Sequence, residues 1–90
     1  MGNDVLRQEK GGYNKASVLA KLDAYNILLM MAEEGVSSSK LIPELEKARN
    51  MPLDRVKSGF FGQYGFSTED TDNCIADLEE KIAAAMAAAR

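Results

Sequence analysis

The strongest pattern along the chain is helical. From Asn14 to about Glu34, Val18, Leu22, Tyr25, Leu29 and Ala32 recur at spacings of four and three, forming one apolar stripe. Asn14 has the side-chain oxygen an N-cap needs. Tyr13 and Val18 stand at hydrophobic-staple spacing, and Gly35 suits a left-handed stop. At residues 27–32 the apolar character spreads round the circumference, which predicts burial of that turn on most sides. Ser37, Ser38 and Ser39 are candidate caps for a second helix over roughly 40–50. Leu41, Ile42, Leu45 and Ala48 make its apolar side, and Pro43 fits only its first turn. A third helix over 67–88 opens with Ser67 and Asp70, an approximate capping box. Thr71, Ile75, Leu78, Ile82, Ala85 and Ala89 keep its rhythm.

Between the second and third helices the pattern breaks. Gly59, Gly62 and Gly65 alternate with Phe60, Phe61, Tyr64 and Phe66, and three glycines so close disfavour a helix. Residues 1–12 are polar, end in Gly11-Gly12, and read as a flexible or extended lead-in to one helical domain over 13–90. The expected fold is all-α: a small three-helix unit with a Gly/aromatic-rich extended segment before the last helix, assembled as a helical-bundle or coiled-coil dimer. Its expected core is Val18, Leu22, Tyr25, Leu29, Leu41, Leu45, Ile75, Leu78 and Ile82. The dimer is expected because the apolar turn at 27–32 exceeds what one short returning helix covers.

The first and third helices begin alike. Gly12-Tyr13-Asn14 and Gly65-Phe66-Ser67 stand 53 positions apart, and at that offset Val18 meets Thr71, Leu22 meets Ile75, Tyr25 meets Leu78 and Leu29 meets Ile82. The match is either a structural repeat or two ordinary helix starts. As a repeat, it sets the first and third helices side by side, both running up, with the second returning.

Composition narrows the chemistry. Ninety residues with 11 basic and 14 acidic side chains give a net charge of −3, against the basic footprint of a nucleic-acid binder. A compact chain of this length has a radius of gyration of roughly 12 Å and no room for a deep active site. There is no His, and one Cys, Cys74, excludes an intrachain disulfide or a thiolate zinc site. The acidic pairs Glu33-Glu34, Glu69-Asp70 and Glu79-Glu80 read as solvated faces or helix starts, since adjacent helix residues do not face each other. No catalytic set, metal site or cofactor is expected. With no disulfide to form, the chain needs no oxidising compartment, and a cytoplasmic protein is the expectation; the apolar run 27–32 is far short of the about 20 residues a membrane span needs.

The cap motifs resemble the N-terminal signature of the DivIVA/GpsB family of bacterial division and polarity proteins: Gly-Tyr-Asp, polar or acidic residues, Val-Asp, then Phe-Leu. The nearer copy is Gly65-Phe66-Ser67-Thr68-Glu69-Asp70-Thr71-Asp72-Asn73-Cys74-Ile75, preceded by Met51-Pro52-Leu53 and Phe60; the other runs from Gly12 to Asp23. The resemblance implies a parallel two-stranded coiled coil with the Gly-aromatic end at its base. It also implies a non-enzymatic scaffold or adaptor that binds a division or cell-wall protein, or touches the membrane peripherally, at septum or pole. In the family's peptide groove an aromatic is followed by acidic residues six and ten positions on. Carried over, this makes Tyr13 with Asp23, and Phe66 with Asp72, the partner-binding residues; Leu19 and Ala76 fill the remaining acidic places. The aromatic segment, with Arg55, Lys57, Phe60, Phe61 and Tyr64, is either a loop folded onto the helices or an exposed anchor for membrane or partner. Neighbouring residues of an extended segment point opposite ways, so one of Phe60 and Phe61 is expected inside and the other outside. The competing readings are a generic helical interaction domain and an accessory subunit of an enzyme complex.

Overall fold

The computed structural model describes residues 6–57 and 63–88. Its elements are β1 (Gln8–Lys10), α1 (Lys15–Glu33), α2 (Ser38–Asn50), β2 (Tyr64–Phe66) and α3 (Thr68–Ala88). It is an all-α unit of three helices with a small antiparallel ribbon at one end. Of the two alternatives for the lead-in, flexible or extended, it is extended and paired from Gln8: Gln8, Glu9 and Lys10 lie opposite Phe66, Gly65 and Tyr64.

α1 and α3 lie parallel. Tyr13 reaches Asp72 near their starts, and Tyr25 reaches Glu79 midway. α2 returns antiparallel along α1. The turn between them is a Schellman motif, with Val36 N bonded to Met31 O and Gly35 N to Ala32 O, both at 3.1 Å. Gly35 stands at φ +87°, where a side chain would be strained. α2 starts at Ser38, so Pro43 falls outside the first turn, where it was expected. Its missing N–H orphans the carbonyl of Ser39, an exposed residue that water can reach.

The core joins Tyr25, Leu28, Ala32, Leu41, Ala48, Leu78 and Ile82. Leu22, Leu29, Leu45 and Ile75, expected in the core, are only half-buried at its edge. Burial on α1 follows Val18, Lys21, Tyr25, Leu28 and Ala32 instead. The stripe is rotated because α1 serves two neighbours, α3 on one side and α2 on the other. The expectation that residues 27–32 are covered on most sides is overturned, since Ile27 is 49% and Met30 56% exposed. Two neighbours cover only two sides of a helix. The radius of gyration, 14.6 Å, exceeds the compact value because the chain is elongated, 53 Å by 25 Å by 14 Å.

Candidate functional site

The Gly-aromatic motifs meet at the base of the parallel helices. Tyr13 N donates to Phe66 O and Phe66 N to Tyr13 O, both at 2.9 Å. This reciprocal pair requires glycine beside it. A Cβ on Gly65 would lie 2.1 Å from the Tyr13 carbonyl oxygen, and one on Gly12 2.3 Å from that of Phe66. The residue after each aromatic caps its helix. Asn14 Oδ1 accepts from Ser17 N at 3.0 Å and Ser67 Oγ from Asp70 N at 3.1 Å. Each cap's own N–H goes to the opposite lead-in, Asn14 to Asp54 O and Ser67 to Arg7 O, both at 2.6 Å. The two starts thus pair in matching roles, the triplets Gly12–Asn14 and Gly65–Ser67 keeping the offset of 53 while their lead-in acceptors, Arg7 and Asp54, do not.

Each ring also carries a cation. Lys15 Nζ is 5.6 Å from the Phe66 centroid and Arg55 Cζ 6.0 Å from that of Tyr13. Lys15 Nζ donates to Gln8 Oε1 at 2.7 Å, and Arg55 Nε to Gly11 O at 2.7 Å. Arg55 therefore belongs to the base and is not a loose anchor. The Ser67–Asp70 capping box closes only halfway, because the Asp70 carboxylate turns to Arg7. It accepts from Arg7 N at 3.0 Å, Nε at 2.8 Å and Nη2 at 2.8 Å. The charge-assisted fork holds the Asp70 carboxyl down to about 2.

Beside the base a shallow groove of about 270 Å³ is lined by Lys21, Tyr25, Arg49, Asp72, Ile75 and Glu79, among others. Glu79 accepts from Tyr25 Oη at 2.5 Å and from Arg49 Nε and Nη2 at 3.1 and 3.2 Å. The Arg49 fork lowers the Glu79 carboxyl, and burial, aided by the Glu79 hydrogen bond, raises the Tyr25 phenol. Lys21 donates to the carbonyls of Arg49 at 2.8 Å and Met51 at 2.7 Å. It thereby closes the C-terminal end of α2, and burial lowers its pKa. Tyr13 Oη donates to Asp72 Oδ1 at 3.1 Å at the edge nearest the base, and burial raises its phenol.

Of the residues singled out in the sequence, Tyr13, Phe66, Asp72 and Arg55 come together. Asp23 does not: it is exposed on α1, ten residues or about 15 Å from Tyr13. Tyr64 is exposed on β2, and Lys57 is exposed where its carbonyl accepts from Gln63 N at 2.8 Å. Phe60 and Phe61 lie outside the described residues. Sequence reasoning missed Lys21, Tyr25, Arg49 and Glu79 as a group. Tyr25 reads as plain core, and nothing local links Arg49 to Glu79. The usable signal was Lys21, a charge within one turn of the apolar stripe.

The α1–α3 pair carries this polar groove on one side only. At the repeat offset, Lys21, Tyr25, Asp72, Ile75 and Glu79 correspond to Cys74, Leu78, Leu19, Leu22 and Asn26. One flank of the pair offers carboxylates and phenols, and the positions equivalent to them are mostly apolar. Among the described residues, no three His, Cys, Asp or Glu side chains converge as a metal set. No described helix is long and apolar enough to cross a membrane. Compared with protein-family models, with curated protein sequences and with solved structures, the chain matches none.

Proposed function

We propose that the chain is a non-enzymatic scaffold or adaptor resembling a DivIVA-type cell-division or polarity module, acting in the bacterial cytoplasm at septum or pole. The observation that carries this reading is the reciprocal Tyr13–Phe66 pair at the base of two parallel helices, the place the resemblance gives to the Gly-aromatic motif. A single chain supplies both copies. The binding surface is the base with its polar groove, where the exposed carboxylate of Asp72 suits a basic side chain from a partner protein. Tyr64, beside the groove's base strand and 59% exposed, adds an apolar contact for partner or membrane surface.

A second reading, a generic helical interaction domain or an enzyme's accessory subunit, is favoured by the remoteness of Asp23 from Tyr13. A fluorescent fusion in the native cell separates the two. Septal or polar foci that Asp72→Ala disperses, without loss of helicity in the purified variant, support the first. A diffuse wild-type signal refutes it and supports the second.

A further inference from the structure

We propose that α1 carries, on its side turned away from α2, an antiparallel docking seam for a second copy of this chain. The seam is independent of the division reading and goes beyond it. Lys15, Leu19, Leu22, Asn26, Leu29 and Glu33 recur at spacings of four and three, a second heptad line on a helix whose first line is already buried. Leu19 is 57% exposed, Leu22 and Leu29 are covered by the core on one side only, and Met30, 56% exposed, flanks them.

Charge selects the occupant and its direction. α1 has no acidic residue in its first turn and no basic residue in its last. It begins with Lys15 and ends with Glu33 and Glu34, so its charges oppose its own dipole at both ends. A second α1 laid antiparallel relieves this. Lys15, whose Nζ in the single chain donates to Gln8 Oε1 beside the Phe66 ring, then turns to Glu33 of the second copy, Leu19 meets Leu29, and Leu22 meets Asn26, each twice by symmetry. A parallel arrangement would set Lys15 on Lys15 and Glu33 on Glu33. The face of the α1–α3 pair measures about 30 Å by 20 Å, roughly 600 Å², of the order of the ~800 Å² per partner in a specific interface. On the α3 side the Asp77–Lys81 ion pair, at 3.1 Å, forms a polar rim.

Sedimentation equilibrium from about 1 to about 200 µM tests the seam, a range that spans weak to moderate affinities. The wild-type mass should rise to twice that of the monomer. Leu19→Glu with Met30→Glu should remain monomeric while keeping the helicity and melting curve of the dilute wild type. Ile42→Glu, which changes an exposed apolar residue of α2, should still dimerise. Lys15→Glu should weaken association about tenfold, and adding Glu33→Lys should restore it. A wild type monomeric throughout overturns the proposal and leaves the seam to a helix of another protein. So does loss of the dimer in Ile42→Glu, or failure of the double charge reversal to recover it.

Discussion

Thr71 is completely buried, yet its hydroxyl has no hydrogen-bond partner among the described residues. At the repeat offset the position belongs to Val18, which is also completely buried, at the same place in its helix. Thr71→Val replaces the hydroxyl by a methyl of similar size in a site whose counterpart already accepts valine. Helix propensity barely distinguishes the two residues, so the change isolates one group. An unpaired buried hydroxyl costs about 1–3 kcal/mol. The variant should therefore be more stable by about 1–2 kcal/mol, raising the melting temperature by roughly 5–10 °C in a domain of this size. Urea and thermal denaturation followed by far-UV circular dichroism read this directly. The reverse change, Val18→Thr, should destabilise by a similar amount, because it introduces the same unpaired group at the equivalent place. An unchanged or lowered midpoint for Thr71→Val would refute the reasoning. It would mean that the hydroxyl bonds a backbone carbonyl one turn earlier, as helical threonines often do.

Gly65→Ala should cost about 3 kcal/mol in chemical denaturation, the upper end for overpacking, because its Cβ meets backbone rather than a side chain that can move. Gly35→Ala, with nothing within 4 Å of its Cβ, should cost only the ~1–2 kcal/mol of a left-handed residue. Lys21→Met keeps the length of the stem and strips two carbonyls of their donor; a loss of about 1–2 kcal/mol is expected, with faster amide exchange at Met51. In Arg7→Ala the Asp70 carboxyl should rise from about 2 toward its ordinary 3.8, as followed by NMR titration. The wild-type stabilisation from this depressed carboxyl is complete above pH ~4 and lost as pH falls toward 2. Stability should thus fall less steeply over that range in the variant.

Helix positions were legible because local chemistry dictates them. Asn14, Ser67 and Gly35 cap or stop their helices as their side chains and backbone freedom require. The repeat was legible for the same reason, since the capping triplets and the stripes share one offset. The start of α2 was misjudged because three serines compete for one cap, and Ser37 takes it without a capping hydrogen bond, its hydroxyl pairing with that of Ser39 at 3.1 Å instead. The substitution of Leu28 for Leu29 in the core could not be read locally. It depends on where α2 packs, and a stripe in sequence does not say how many neighbours its helix will have. The Tyr25–Glu79–Arg49 cluster was hidden because its members come from three helices. Each looks ordinary alone: a core tyrosine and two surface charges.

The Tyr13–Phe66 pair also sets the order in which the molecule assembles. α1 and α2 are joined by a four-residue turn, so their packing closes only a short loop. The base joins residues 53 apart, and closing that longer loop costs about 2 kcal/mol more in chain entropy. The helical hairpin should therefore form before the rate-limiting barrier, and the base should close after it. Substitutions at Tyr13 or Phe66 should then accelerate unfolding and leave the refolding rate nearly unchanged, whereas truncation of Leu28 or Leu41 should slow refolding. Under brief thermal stress the base would open first and the hairpin would outlast it, so the binding surface would be lost and regained without passage through the unfolded chain.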